Sequence, residues 1–449
     1  MATDLLDEEH TDDPSRLLYS TRSGKTVMVK EKVYVALQNG IFTDVEDRHL
    51  TTLKDLEILV PELQDEFDEV LGRNVSVLDS AKSVNVTIQP TANCQLGCNY
   101  CGQVHSKKNV DEETSIKITD RIIHNLKKNS FESIMVQWYG GEPLMAQKEI
   151  LAMSERMIDY CKANGIRYSA HMITNGVNFK PNIFLKLLEK KITHYQITLD
   201  GLGETHDLFR ITKEGKKTFE IIFGNIVNVI NLPEFADNHC NITVRVNVTR
   251  ASAKSIHKLI DRLAYYNLQR GVSLHFAPVS DWGGNNAQKS SLSREEFAVA
   301  EIDWILYGIQ KGFKFRNVLP RRTVQPCMTV QKDAEVYDAN GNIYPCYEYP
   351  YTPKFAEAEY KIGNVDTIDV ERNEHAITRD WYRDIKTDIA PCKTCNLFPV
   401  CGGGCPKQWY EKDVACPSYK INIKDKLLMH HLMKKDGNLQ DFLENNPSN

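Results

Sequence analysis

The sequence predicts an α/β fold built on a parallel sheet, and three observations carry that prediction. Between Val84 and Ala277 six strand-length apolar runs alternate with helical patterns. Strands separated by helices form βα units, whose parallel strands need a crossover. The chain has 449 residues, too many for one core at roughly 150 residues per domain, so two or three domains are expected. Its 12 cysteines are clustered: three lie between Cys94 and Cys101 and seven between Cys327 and Cys416.

Composition narrows the class. With 41% hydrophobic and 26% charged residues the chain reads as globular, and a net charge of −5 gives no footprint for nucleic acid. No apolar run approaches the roughly 18 residues of a membrane span. The start, MATDLLDEEHTDD, lacks the basic-then-apolar pattern of a signal peptide, so a cytoplasmic protein is expected. In a reducing compartment clustered cysteines read as metal ligands or catalytic groups rather than disulfides. Cys161 and Cys240 stand alone and read as small buried hydrophobes.

The elements follow in order. Residues 1–14 read as a disordered acidic tail. Residues 15–78 read as a small module. Arg16–Ser20 and Thr26–Lys30 form a hairpin around Arg22-Ser23-Gly24, and Val33, Tyr34, Leu37 and Leu50, Leu53, Leu56 mark two short amphipathic helices. Pro61–Leu71 reads as a further helix with Leu63, Phe67, Val70 and Leu71 on one face. Residues 79–315 hold the alternating segment. Its strands are Val84–Gln89, Ser133–Trp138, Tyr168–Ile173, His194–Leu199, Asn241–Val248 and Val272–Phe276. Its helices are Thr114–Lys127, Lys148–Asn164, Asn182–Lys190, Lys217–Ile230 and Ala253–Tyr266. Residues 279–295, with Trp282-Gly283-Gly284, read as a loop, and Leu292–Gly312 as a helix leading away from the sheet. A boundary near 315–325 opens a cysteine-rich domain, 316–425, followed by a C-terminal helix (Lys424–Lys435) and tail in 426–449.

The chemistry concentrates at strand ends, where parallel α/β architectures place their sites. TANCQLGCNYCGQ, Thr91–Gln103, follows the first strand and sets Cys94, Cys98 and Cys101 in C-x3-C-x2-C spacing. Three thiolates on one tight loop converge on one small centre. Iron–sulfur clusters normally take four cysteines, so three leave an iron open; half a zinc site or scattered buried thiols are the alternatives. Trp138-Tyr139-Gly140-Gly141-Glu142-Pro143 follows the second strand. Its glycines permit close backbone approach, and Glu142 can accept hydrogen bonds from an ammonium group. Ile173-Thr174-Asn175-Gly176 closes the third strand. Ile197-Thr198-Leu199-Asp200-Gly201 closes the fourth and runs into His206 and Arg210. Either stretch serves equally as a turn and helix cap, and Asp200 with Arg210 as an ion pair fixing the turn. Asn247, on a strand whose inward face the pattern leaves open, joins the pocket candidates. The later cysteines run C…G-x4-C…C-x2-C-x5-C-x3-C…C from Cys327 to Cys416.

Together these residues resemble the radical S-adenosylmethionine (SAM) superfamily and, from Cys327 on, its SPASM extension. The resemblance implies a partial (β/α)6 barrel and three [4Fe–4S] clusters. Cys94, Cys98 and Cys101 would hold the first, whose open iron binds SAM. Tyr100, Gly140, Gly141, Glu142, Thr174, Asn175 and Thr198 would form the SAM pocket, with Glu142 on the amino group and Thr198 on the ribose. Cys327, Cys346 and Cys405 would hold a nearer auxiliary cluster. Some relatives carry a further cysteine there, at the position of Arg321, so one iron would be open. Cys392, Cys395, Cys401 and Cys416 would hold a distal cluster. The N-terminal module resembles a winged-helix-like leader-peptide recognition domain, to whose sheet edge a peptide adds as a strand.

The implied chemistry is reductive cleavage of SAM, with an electron from a flavodoxin- or ferredoxin-type protein. A 5′-deoxyadenosyl radical then takes hydrogen from the substrate. The implied substrate is a ribosomally made precursor peptide with a leader, and the product a side-chain crosslink, thioether or C–C or C–O. Three alternatives stand beside it. A sulfatase-type formylglycine-generating enzyme would carry an aspartate after the cysteine of G-x4-C, where this chain has Tyr347 and then Glu348. A peptide epimerase needs a hydrogen-donating thiol, for which Cys161 and Cys240 are the candidates. A zinc-bound peptide-binding module would have no catalysis. Tyr347, Glu348 and His206 are the candidates for a base.

Overall fold

The computed structural model describes residues 2–4, 15–43, 45–315, 318–367, 377–378 and 380–435. A small antiparallel sheet opens the chain: β1 (Ala2–Asp4), β2 (Ser15–Ser20) and β3 (Lys25–Lys30), in that order. Disorder expected over 1–14 is therefore not found at Ala2–Asp4, which pairs with Arg16–Leu18; residues 5–14 lie outside the described residues. Helices α1 (Glu31–Asn39) and α2 (Asp47–Asp55) close a core of Leu18, Val33, Val45 and Leu53. The next helix, α3, is Glu66–Asp79 rather than 61–71. Asp65 caps it by accepting from Asp68 N at 2.9 Å, and Leu63, before the cap, is 97% exposed. The helix packs Phe67 on Phe398 with ring centroids 4.8 Å apart.

Among the described residues the main sheet has nine strands. Six successive parallel strands form its barrel part: β4 (Ser83–Ile88), β5 (Ser133–Trp138), β6 (Arg167–Thr174), β7 (Ile192–Thr198), β8 (Asn241–Val248) and β9 (Val272–Pro278). Between them run α4 (Glu112–Lys128), α5 (Gln147–Ala163), α6 (Pro181–Glu189), α7 (Phe219–Ile230) and α8 (Ile256–Tyr265). All six strands and five helices match the periodicity, with ends moved by up to three residues. Along β8, Ile242, Val244, Val246 and Val248 are fully buried against helices, while Thr243, Arg245 and Asn247 line the interior hollow. Side chains of period two divide the sheet into an apolar outside and a polar inside.

Two expectations about the C-terminal half need correction. The helix α9 (Arg294–Gln310) does not lead away from the barrel. It buries Phe297, Trp304 and Ile305 in the main core, with Trp304 5.4 Å from Phe276. Its apolar face is what the outer side of β9 needs for cover. Beyond it the chain does not leave the sheet either. β10 (Glu335–Tyr337) pairs parallel to β4, and β11 (Asn342–Tyr344) and β12 (Gly363–Asn364) continue the order β12-β11-β10-β4. The last helix, α10, runs Tyr419–Lys435 against α9, starting earlier than expected. The tail after Lys435 lies outside the described residues. Among the described residues no helix is long and apolar enough to cross a membrane.

The seam between β10 and the barrel is held by a buried ion pair. Arg121 on α4 donates to Glu335 at 2.8 Å and 3.3 Å, with both residues under 5% exposed, and Asn125 adds a bond of 3.0 Å. Removing one member leaves the other charge buried without it, at a cost of about 3–5 kcal/mol. Glu335→Ala is therefore expected to lose that much in denaturant unfolding. Arg156→Ala, which breaks an exposed pair with Asp120, is expected to lose under about 1 kcal/mol.

Candidate active site at the strand ends

The loop after β4 is pinned by its neighbours. Thr91 bridges to Asn109, and Leu96 to Thr212. Gly97 N donates to Ile211 O and Lys213 N to Gln95 O, both at 2.9 Å, so residues 211–213 run beside the cysteine loop like a short strand. Cys94, Cys98 and Cys101 all face a cavity of about 550 Å³ at the strand ends. Burial raises all three thiols, Cys94 to about 12 and Cys98 to about 11. They are protonated at neutral pH until a metal displaces the protons.

The second motif meets this loop directly. Gly140 and Gly141 have φ of +83° and +50°. A Cβ on Gly141 would lie 2.5 Å from Asn93 O and one on Gly140 2.3 Å from the Gln89 side chain. The close approach at Gly141 is thus to the cysteine loop itself, and that at Gly140 is to Gln89 just after β4. Glu142 N donates to Asn93 O at 2.7 Å, and Gly141 N to Gln103 Oε1 at 3.0 Å.

Glu142 is fully buried, and its carboxylate is engaged by the chain's own donors. It accepts from Thr174 Oγ1 at 2.6 Å, Asn175 N at 2.7 Å and Leu144 N at 3.1 Å. It does not line the cavity, whereas Gly141, Thr174, Asn175 and Thr198 do. Glu142 therefore fixes the end of β6, and Thr174 and Asn175 present the cavity surface. Asn175 also reaches Cys94, with Nδ2 3.7 Å from Sγ.

Tyr100 is the hub of a buried network. Its hydroxyl donates to Asp200 and accepts from Arg210 Nη1 at 2.6 Å and Asn247 Nδ2 at 3.2 Å. Asp200 accepts in turn from Asn247 N at 2.9 Å. The expected Asp200–Arg210 link thus runs through the tyrosine. His206 is not in the cavity. It is fully buried, Nδ1 accepts from Asp200 N at 3.2 Å, and Nε2 meets Thr218 Oγ1 at 3.1 Å. With both nitrogens engaged it fixes the turn after β7, and it drops out as a base. Tyr347 and Glu348 do line the cavity; burial raises the Glu348 carboxyl, and Lys407 and Arg245 oppose that shift. Cys161 and Cys240 lie elsewhere, in the core around α5 and beside β8.

Several cavity residues carry no motif. Gln137, His171, Thr243, Arg245 and His275 project from the strand interiors. His171 Nε2 is 2.8 Å from Gln137 Oε1, and burial lowers its imidazole to about 4. Trp282 closes one side, where Gly102 and Gly283 approach so closely that a Cβ on Gly102 would lie 2.8 Å from Gly283. Strand alternation was the signal available for these positions, but it does not say which face is inward.

The seven later cysteines fall into two groups. Cys392, Cys395, Cys401 and Cys416 surround a void of about 20 Å³. Cys327 and Cys405 lie near enough to Cys346 to add to burial in raising its thiol, and Cys346 is buried next to Tyr347. Among the described residues no three His, Cys, Asp or Glu close around a single ion position. The donor sets are all-thiol and suit iron–sulfur clusters, whose ligands attach to separate irons.

Residues 88–268 match the radical SAM superfamily. The mycofactocin maturase MftC of Mycolicibacterium smegmatis is 28% identical over 365 residues, covering 77% of this chain and 81% of that enzyme. The serine-type anaerobic sulfatase-maturating enzyme of Bacteroides thetaiotaomicron is 24% identical over 372 residues, covering 74% and 84%. Among solved structures, native anSMEcpe with bound AdoMet overlays with a TM-score of 0.55 at 20% identity, covering 81% of this chain and 99% of that one. Streptococcus suis SuiB bound to precursor peptide SuiA overlays at 0.50 and 15% identity, covering 93% and 99%. Residues 88–268 of the chain therefore carry a radical SAM superfamily domain.

Proposed function

We propose that the protein modifies a ribosomally made precursor peptide and installs a side-chain crosslink. The observation that carries this is the meeting, around one cavity, of the three-cysteine loop and of Tyr347 and Glu348, which directly follow Cys346. Cys94, Cys98 and Cys101 would hold the cluster that binds SAM, Cys327, Cys346 and Cys405 a nearer auxiliary cluster, and the other four cysteines a distal one. When bound, the first cluster and SAM supply a 5′-deoxyadenosyl radical that takes hydrogen from the substrate. An external flavodoxin- or ferredoxin-type protein would deliver the electron.

The chain's own part is positioning. Thr174, Asn175 and Thr198 would hold SAM against the open iron, and the Gly102–Gly283 contact with Trp282 would keep water from the reacting atoms. Residues 15–78 would bind the leader. β3 is an edge strand of its sheet, and a peptide would add beside it. The SuiB likeness, which extends over 93% of the chain, supports this reading.

A second reading is formylglycine formation in a sulfatase, favoured by the names of the sulfatase-maturating relatives. In its place for an aspartate this chain has Tyr347, and Glu348 beyond it also faces the cavity. Mass spectrometry separates the two. Co-expression with a short peptide encoded beside the gene is expected to remove two hydrogens for each crosslink. Conversion instead of a serine or cysteine in a sulfatase peptide to an aldehyde would replace the crosslink reading.

The metal assignment has its own test. The anaerobically purified chain is expected to be brown and to carry roughly twelve irons, three [4Fe–4S] clusters. Cys98→Ala is expected to lose about a third of them, and colourless zinc-loaded protein would end the reading. Glu142→Gln is expected to weaken SAM binding about tenfold, because Thr174 and Asn175, which it holds at the cavity wall, lose a buried bond to a charged acceptor, with iron content unchanged. Calorimetric titration with SAM reads the difference.

A further inference from the structure

The deepest unexplained group in the cavity wall is the guanidinium of Arg210. It is 7% exposed, and Nη1 is committed to Tyr100. Nε is buried and has no hydrogen-bond partner. Leaving such a donor unpaired costs about 1–3 kcal/mol, so a fold that keeps it aims it at something. Its surroundings say at what. The next residues, 211–213, pair with Gln95–Gly97 of the cysteine loop, which sets Arg210 alongside Cys98. Arg210 lines the same cavity as Cys94, Cys98 and Cys101. Its backbone is also anchored: N donates to His206 O at 3.0 Å, and its carbonyl accepts from Thr218.

Resting on the proposed assignment of those three cysteines, we propose that Arg210 is a positioning residue for the SAM-binding cluster. Its free Nε–H donates to a sulfur of that cluster, and its fixed charge raises the cluster's reduction potential. Reduction adds one electron to an already anionic thiolate cluster, so a cation held in a dry wall favours the reduced form. The electron comes from a low-potential one-electron donor. The Tyr100–Asp200 bonds then have a purpose beyond the turn: they hold the guanidinium plane so that Nε faces the sulfurs.

The test is a redox titration of the reconstituted full chain with dithionite, followed by electron paramagnetic resonance. The signal that changes when SAM is added belongs to the cluster with the open iron. In Arg210→Gln its reduction equilibrium is expected to fall about tenfold, or about 59 mV for one electron, with and without SAM. Arg210→Lys, which keeps the charge but not the planar fork, is expected to fall between Gln and wild type. Tyr100→Phe is expected to shift in the same direction by less, and it tests the idea should Arg210→Gln fail to fold. Full iron loading with an unshifted potential in these variants overturns the inference and leaves the cluster assignment standing. A shift seen only with SAM present also overturns it, and gives the Nε–H to the SAM carboxylate instead. Wild-type chain that binds no iron overturns the assignment beneath it.

Discussion

Everything at this site depends on the register of the parallel sheet. Thr198 of β7, Arg245 of β8 and His275 of β9 pair at one level, so three polar side chains from three strands face the same hollow. A slip of one residue would turn Val244 and Val246 into the cavity and drive Arg245 and Asn247 into the helix layer. The outer face prevents this. Ile242, Val244, Val246 and Val248 are fully buried, as are Ile222, Ile226 and Val229 of α7, and burying such side chains is worth roughly 1.5–3 kcal/mol each. Apolar packing outside the barrel therefore fixes the polar chemistry inside it.

The price of that arrangement is a set of charges far from water. Glu142 and Asp200 are fully buried and Arg210 nearly so, and each would be costly alone. Two networks answer this, and they are built differently. Glu142 is satisfied by donors from β6 and its own turn, a closed arrangement that leaves it a structural post. The Tyr100 group ties four elements together but leaves Arg210 Nε open. The closed network holds the site, and on the proposed reading the open Arg210 Nε is the one that meets a ligand.

How much of this was legible in the sequence follows from the same distinction. Cysteine spacing and the paired glycines were legible because few structures need them, and the strands and helices because their periodicity is strong. The faces of β8 were not, since alternation is symmetric until the helix layer is known, and so Arg245, His171 and His275 passed unnoticed. Helix α9 was misread because periodicity reports an apolar face without naming what covers it. His206 looked chemical because a histidine beside a strand end resembles a base. Only its two bonds, to Asp200 N and Thr218, reveal that neither nitrogen is free. Glu142 was read as an acceptor for an ammonium group, and its carboxylate is bonded by Thr174, Asn175 and Leu144, because sequence shows a carboxylate but not which donors of the chain meet it.

The two late cysteine groups stand differently to the cavity, and this bears on what each could do. Cys346 is followed by Tyr347 and Glu348, which line the cavity, and Tyr347 packs edge-on to Tyr139 with centroids 5.6 Å apart. Gln89 Nε2, from the end of β4, bonds Tyr347 O. A substrate in the cavity would thus lie one residue from the nearer group. The other four cysteines surround a separate void that shares no lining residue with the cavity. Between the groups runs the segment from Cys401 to Cys405, braced where Trp409 Nε1 donates to Gly403 O at 2.7 Å. On the proposed reading, only the nearer cluster can touch the substrate. The distal one can act on it only by passing an electron along that braced segment. Loss of contact and loss of electron exit are then separable faults, one arising at Cys346 and the other at Cys392.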